Sequence, residues 1–431
     1  MPAPAPVRVV RVEVGQPLPE LSPQRPDGRR YGSAYVIVRD GGQVVGRRLV
    51  PLGEQTLHPD ALAERLSGLW HGGPARPALR PPEPAPFISV VVPSAMQRPV
   101  PLARCIGRLA ALDYPSFEVV VVDNRPTGAP ERARLHAELS AHPRVRVVTE
   151  PVRGASAARN RGIAAARGEI VAFTDDDIDV DPSWLTAIAA RFAADPRADC
   201  VTGWVFPAEL ETPAQVWFEN SGSTIGEQLG VVSYQRDTAD RWTVRAHRAH
   251  DPAADERVPV FRGVFGGSGN LAVRAAVLAE RGAFHPALGA GTVAGGGEDV
   301  EFLTRLLHHG HRVTMDPAVA VFHHHRTDFA DLRRQMYGYG TGYTAALTAL
   351  IAADVRHLAG LARLVTALAR ISRRRGTART PVQYPSSLRW AERRGLLSGP
   401  LAYLRSRLAL ARRRGASHAA TPPLEHAGNL P

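Results

Sequence analysis

Between Phe87 and Asp177 the chain carries four short apolar runs, FISVVVPS, FEVVVVDN, RVRVVTEP and EIVAFTDDD, separated by helical stretches such as PLARCIGRLAAL and GASAARNRGIAAARG. Continuous Val and Ile runs have no polar side to offer water, so they belong to a parallel sheet covered on both faces by the intervening helices. An α/β fold follows, and such sheets bind ligands beyond the carboxyl ends of their strands. Asp123-Asn124 closes the second run and Asp175-Asp176-Asp177 closes the fourth. Both polar clusters are expected to face one crevice.

Three adjacent carboxylates repel unless water screens them, protonation removes the charge, or a cation binds. In an extended strand end the first and third side chains point to one side, which makes Asp175 and Asp177 a seat for a hard cation such as Mg²⁺ or Mn²⁺. The competing reading is a solvated acidic turn ahead of the helix PSWLTAIAARFA. Asp181, before Pro182, is assigned to capping that helix. Asp123 is placed to accept a hydrogen bond from a nucleobase or ribose, although Asp-Asn after a strand is also ordinary turn chemistry. The segment 153–168, RGASAARNRGIAAARG, opens a helix at Gly154 and carries Arg153, Arg159 and Arg161, so helix-end amides and guanidinium groups can offset diphosphate charge. For Arg161 and Arg167 a plain surface role fits as well. VAVFHHHRTD ends a strand, so His323 and His325 share one face and His324 takes the other.

The net charge of +12 is unevenly spread. From Asp331 onward there are 17 Arg against 4 acidic residues, or +13, leaving residues 1–330 at −1 (12 minus 13). An anionic partner, membrane surface or polynucleotide, should therefore meet the C-terminal part. No Lys occurs. The two cysteines, Cys105 and Cys200, have no metal-type spacing. MPAPAPVRVVRVEVGQ lacks the apolar core of a secretory signal, and YTAALTALIAA is well short of the ~20 residues of a spanning helix. A cytoplasmic protein, peripheral on the inner face of the cell membrane, is the expectation.

The segmentation follows composition. Residues 1–71 read as a small α+β N-terminal accessory module, with a strand at VRVVRVEV, a hairpin turning at Asp40-Gly41-Gly42 and a helix in PDALAERLSGLW. Residues 72–86 form a Pro/Gly-rich linker. The α/β domain takes 87–326, a helical extension 327–375, and a basic, Pro-punctuated, partly disordered tail 376–431.

ISVVVPS, FEVVVVDN, GASAARNRGIAAARGEIVAFTDDD, GGSGNLAVRAAVL and GGGEDVEFLTRLLHHGHRV stand in the order and spacing of the family 2 glycosyltransferases, and residues 87–326 resemble that family. The resemblance implies a GT-A fold and transfer of a sugar from a nucleotide-diphosphate sugar to a hydroxyl acceptor with inversion. Position by position, it implies that Asp123 contacts the base, that Pro93 and Ser94 belong to the first nucleotide-contacting loop, and that Asp175 and Asp177 are the outer residues of a metal-binding DxD with Asp176 beside the donor. Glu298-Asp299 matches the family's ED pair, whose aspartate is the usual general base. The resemblance also implies that a histidine after that helix completes the metal site, and His323 is the first choice over His324 and His325. PSAMQRPVPLARC departs from the family's usual first loop, which bears on base selectivity. The loop GAGTVAGGG before the ED pair is suited to closing over substrate.

The acceptor implied is a glycan, a lipid-linked glycan or a small-molecule hydroxyl. Two other readings compete. A metal-dependent nucleotidyltransferase also uses paired carboxylates, but lacks support from a Gly-rich, Lys-containing loop. A basic nucleic-acid-binding protein rests on the Arg-rich tail alone, and the acidic crevice opposes it.

Overall fold

The computed structural model describes residues 3–69, 77–125, 131–222, 229–249, 251–263, 265–374 and 384–419. Strands β1 (Val7–Glu13), β2 (Ser33–Asp40) and β3 (Gln43–Pro51) make a separate three-stranded sheet, with β1 parallel and β3 antiparallel to β2. Helix α1 (Pro59–Leu66) covers it by placing Leu62 and Leu66 among Val36, Val38 and Val50.

The four apolar runs form the strands expected of them. β4 (Ile88–Ser94), α2 (Pro99–Ala110), β5 (Phe117–Asp123), α3 (Glu131–Ser140), β6 (Val145–Thr149), α4 (Ala155–Ala165) and β7 (Ile170–Thr174) make a parallel block ordered β6-β5-β4-β7. Alternate residues of β4 feed two cores: Ile88, Val90 and Val92 meet α2, while Val91 meets α4 on the other face. Burial on both faces is why these strands carry no polar alternation.

Beyond β7 come β8 (Ile178–Val180), α5 (Trp184–Ala194), β9 (Ala198–Pro207), α6 (Pro213–Gly222), β10 (Val232–Arg236), β11 (Thr243–Arg248), β12 (Glu256–Pro259), β13 (Asn270–Arg274), α7 (Ala275–Arg281), α8 (Glu298–His308) and β14 (Arg312–His323). They extend the sheet as β7-β13-β9-β14-β10-β11-β12, with β13 antiparallel to both neighbours, β9 parallel to β14, and β8 paired to β14. The carboxyl ends of β7 and β14 are thereby brought together through β8. That junction sets Asp177 beside His323.

The N-terminal sheet docks on the end of β9 and β14, where Tyr35, Ile37 and Val44 join Phe206, Leu210 and Phe322 in one apolar cluster. An ion pair crosses the same junction, Arg39 Nη1 to Asp181 Oδ2 at 2.9 Å. Asp181 is therefore not the N-cap that its place before Pro182 predicts. α5 starts at Trp184 with Ser183 as N-cap, and Asp181 Oδ1 accepts from the backbone and hydroxyl of Ser183.

Three helices complete the chain: α9 (Phe329–Ala353), α10 (His357–Arg374) and α11 (Ser386–Ala419). Where the sequence reading has a partly disordered tail from 376, residues 386–419 are one helix, while 376–383 and 420–431 lie outside the described residues. Glycine and proline look like breakers here, but packing gives them other work. A Cβ on Gly340 would sit 2.1 Å from Glu392 O, and one on Gly395 2.2 Å from Tyr337 O, so bare backbones let α9 and α11 touch. Pro400 cannot donate to Leu396 O, and the Thr344 hydroxyl of α9 donates to that carbonyl instead at 2.8 Å.

Candidate active site

A cleft of about 1310 Å³ opens at the carboxyl ends of β4, β5 and β7 and is walled on its far side by α9 and α11. On its floor the acidic triplet meets cations at once. Ser94 Oγ, from the end of β4, donates to Asp176 Oδ2 at 2.6 Å, and Arg98 Nη2 donates to Asp176 Oδ1 and Asp177 Oδ2, both at 3.0 Å. Asp177 is 5% exposed. Its Oδ1 faces His323 Nε2 at 3.5 Å and its Oδ2 lies 3.7 Å from Arg326. Asp175 accepts from Arg159 Nη2 at 2.7 Å, and the other arm of that buried guanidinium donates to Glu298 Oε1 at 2.8 Å.

These partners sort the carboxyl groups. Desolvation raises the Asp175 carboxyl despite Arg159, and raises Asp176 despite Ser94 and Arg98. Desolvation acts on Asp177 too, but the hydrogen bond from His323 and the charges of His323, Arg98 and Arg326 outweigh it and hold this carboxyl well below the usual range. Negative charge is most secure at Asp177.

The ED pair opens α8 with divided tasks. Glu298 is buried against Arg159 and within 3.4 Å of Ser268 Oγ. Asp299 lines the cleft, accepts from Val300 N at 2.8 Å, and makes no ion pair among the described residues. Desolvation and the adjacent Glu298 charge push its carboxyl up to about 6. Gly297, at φ +83°, turns the chain into α8, and a Cβ there would meet Gly342 O of α9 at 2.0 Å. The loop 289–297, read as free to close, is pinned: Ala155 N donates to Ala290 O, Gly289 N to Gly296 O, and Gly297 abuts α9.

The three histidines have three fates. His323 reaches Asp177 and also contacts His325, Nδ1 to Nδ1, at 2.7 Å. His325 is buried under Phe218 and contacts Glu219 at 3.4 Å. His324 bridges Asp179 and Glu209, each at 3.2 Å, and those hydrogen bonds raise it from its ordinary 6.5 to about 9. A raised folded-state value means that the pair's stabilisation is full below pH 6.5 and fades as pH climbs through about 9. His324→Gln is accordingly expected to flatten the alkaline loss of melting temperature between those values, as followed by calorimetry; equal curves for variant and parent would remove the bridge's role.

Of the other residues singled out from sequence, Pro93, Ser94 and Arg153 line the cleft. Two are placed otherwise than expected. Asp123 is fully buried and held by Arg125 at 3.2 Å, Arg132 at 2.7 Å and His136 at 2.9 Å, so it offers no free oxygen to a base or ribose. The neighbouring Asn124 faces the cleft instead, and its Oδ1 accepts from Gly154 N at the start of α4. Arg159 is spent on Asp175 and Glu298 rather than free for a diphosphate.

Whether a dication suits this wall is a question of donors. Asp175, Asp177 and His323 supply hard carboxylate oxygens and one imidazole, a set that fits Mg²⁺ or Mn²⁺. Among the described residues no three His, Cys, Asp or Glu side chains form a ready-made cage, because arginines hold the carboxylates.

Residues 89–252, which contain the triplet, match the model described as Glycosyl transferase family 2. This segment belongs to glycosyl transferase family 2. Over 111 residues the chain is 32% identical to the uncharacterized glycosyltransferase YibD of Escherichia coli (strain K12), covering 25% of this chain and 32% of that protein. Over 255 residues the chain is 26% identical to the pre-mycofactocin glycosyltransferase of Mycobacterium tuberculosis (strain ATCC 25618 / H37Rv), covering 58% of this chain and 46% of that protein. The chain thus spans less than half the length of either relative. A solved structure of the mannosyltransferase PcManGT from Pyrobaculum calidifontis, in complex with GDP-Man and Mn²⁺, matches with a TM-score of 0.43 at 19% identity, covering 82% of this chain and 79% of that one.

The cleft also holds site residues that sequence reasoning passed over. Arg98 lies in the very loop that departs from the family pattern, and its two carboxylate contacts are the physical content of that departure. Tyr339, Tyr343, Glu392 and Leu396 wall the cleft from α9 and α11, outside the family-matched segment. No sequence signal marks them. Among the described residues, no helix is long and apolar enough to cross a membrane.

Proposed function

We propose that the chain transfers a sugar from a nucleotide-diphosphate sugar to a hydroxyl acceptor with inversion at the anomeric carbon. The observation that carries this reading is the pairing of an acidic triplet with an unpaired carboxylate, Asp299, in one cleft, tied together by Arg159 across Asp175 and Glu298. Asp299 takes the proton of the acceptor hydroxyl as that oxygen bonds to the anomeric carbon; the bond from that carbon to the diphosphate oxygen breaks on the opposite side. Glu298, locked to Arg159, positions α8 rather than moving protons. Asp175, Asp177 and His323 are the residues that would hold Mg²⁺ or Mn²⁺, whose chemistry when bound is to offset charge gathering on the leaving diphosphate. Arg98, Arg153 and Arg326 stand along the same wall as further positive charge. Ser94 and Asn124, at two adjacent strand ends, form the donor's nucleoside side of the cleft.

A thermal-shift screen of nucleotide sugars with and without Mn²⁺ tests this. The parent is expected to gain melting temperature with one donor only when the cation is present, and Asp177→Ala to lose that gain. A donor-induced shift that ignores both the cation and Asp177 would overturn the assignment of the triplet.

A further inference from the structure

Helix α11 has two opposed faces. Leu388, Gly395, Gly399, Ala402, Tyr403 and Ser406 are turned inward, most of them against α9. At about 100° per residue, Trp390, Leu397, Leu401, Leu404 and Leu408 fall within a stripe roughly 60° wide on the opposite side. They are 61, 85, 52, 54 and 59% exposed, so a leucine ridge about three turns long, with Trp390 two turns ahead of it, stands in solvent among the described residues. Large exposed apolar patches of this kind mark an interaction surface.

The borders of the ridge identify its partner. Arg389, Arg393 and Arg407 run along one side, and Arg394, Arg405 and Arg412 along the other, all exposed. The only acid in α11 is Glu392, which is turned to the cleft. The three- and four-residue spacing of the leucines would also suit a second copy of this helix. Self-pairing, however, would set arginine against arginine along both borders with no carboxylate to relieve it. An apolar ridge between two rows of arginine matches instead a surface that is apolar below and anionic at its rim.

We propose that α11 lies in the plane of an anionic phospholipid bilayer, its leucine ridge among the acyl chains and its arginines at the phosphates. Leu396, on the flank of the same helix, both lines the cleft and reaches solvent, so docking brings the cleft mouth to the lipid surface. That the acceptor is carried by a lipid rests on the transfer reading above; the docking itself does not.

The test is co-sedimentation of the full chain with phosphatidylcholine vesicles with and without phosphatidylglycerol. The parent is expected to bind the anionic vesicles at least about tenfold better than the neutral ones, and to be released by salt. L397E/L404E, which alters two exposed positions, is expected to lower binding by at least about tenfold with an unchanged melting temperature. R394Q/R405Q should reduce the preference for anionic lipid while keeping the fold. Equal binding by parent and L397E/L404E would overturn the proposal. So would a lipid-free dimer in sedimentation velocity that L397E/L404E dissolves, since the ridge would then belong to a second copy. Because binding is read without turnover, a failed donor screen leaves this result standing, and the reverse also holds.

Discussion

Asp299→Asn is expected to lower kcat by about 10²- to 10⁴-fold while leaving KM for the donor nearly unchanged, the range that removal of a general base produces. The amide keeps an oxygen for Val300 N, so the start of α8 should hold its shape. Release of nucleoside diphosphate, measured as initial rates against donor concentration, reads both constants. A kcat within twofold of the parent would transfer the base role elsewhere. The parent's own pH profile gives an independent reading. Desolvation and the Glu298 charge raise the Asp299 carboxyl to about 6, so kcat should rise about tenfold per pH unit below that value and level off above it. Glu298→Gln should behave differently, since it deprives buried Arg159 of one of its two carboxylates. It should lower the melting temperature, and by removing the Glu298 charge it should also move the acid limb of the profile to lower pH.

The second large effect is expected from a residue with no chemistry at all. A Cβ on Gly342 would lie 2.6 Å from the carbonyl carbon of Gly296 and 2.7 Å from the nitrogen of Gly297. Those atoms are backbone and cannot rotate away, so in Gly342→Ala either α9 or the turn into Glu298-Asp299 must move. A destabilisation of about 1–3 kcal/mol is expected from the overpacking. Turnover should fall by about 10²-fold if the carboxylate shifts by roughly 1 Å. Gly338→Ala, one turn earlier on the same helix, provides the contrast. Its Cβ would meet Gly295 O at an ordinary 3.6 Å, and replacing a helical glycine should raise stability by about 0.5–1 kcal/mol. Denaturant melts of the two variants should shift in opposite directions; a shared direction would mean that contact with the turn is not what decides the sign.

What sequence disclosed and what it withheld divide along chain distance. The runs from β4 to β7 were legible because burial on both faces removes polar residues from consecutive positions. The place of the triplet followed from the carboxyl-end rule for such sheets. What neutralises it did not follow: Arg98 lies 79 residues from Asp177, and nothing local announces that contact. Reasoning from charge alone demanded a cation, and guanidinium groups satisfy that demand as well as a metal does. The surroundings of Asp123 are hidden for the same reason, since its three partners include Arg132 and His136 from α3, a helix whose inward side only the folded chain reveals. In α11 the error ran the other way. Gly395, Gly399 and Pro400 are locally unfavourable to a helix, and close approach to α9 with a hydroxyl from Thr344 overrides that preference.

The Arg39–Asp181 contact reaches beyond stability. Asp181 is 1% exposed, and the charge that balances it sits 142 residues earlier in the chain, on a sheet of its own. Excised alone, the family-matched core would open this seam to water, exposing Phe206, Leu210 and Phe322 beside a carboxylate without its partner. A shortened protein that begins at β4 should accordingly be the stickier one, because the surface so uncovered is mainly aromatic and aliphatic.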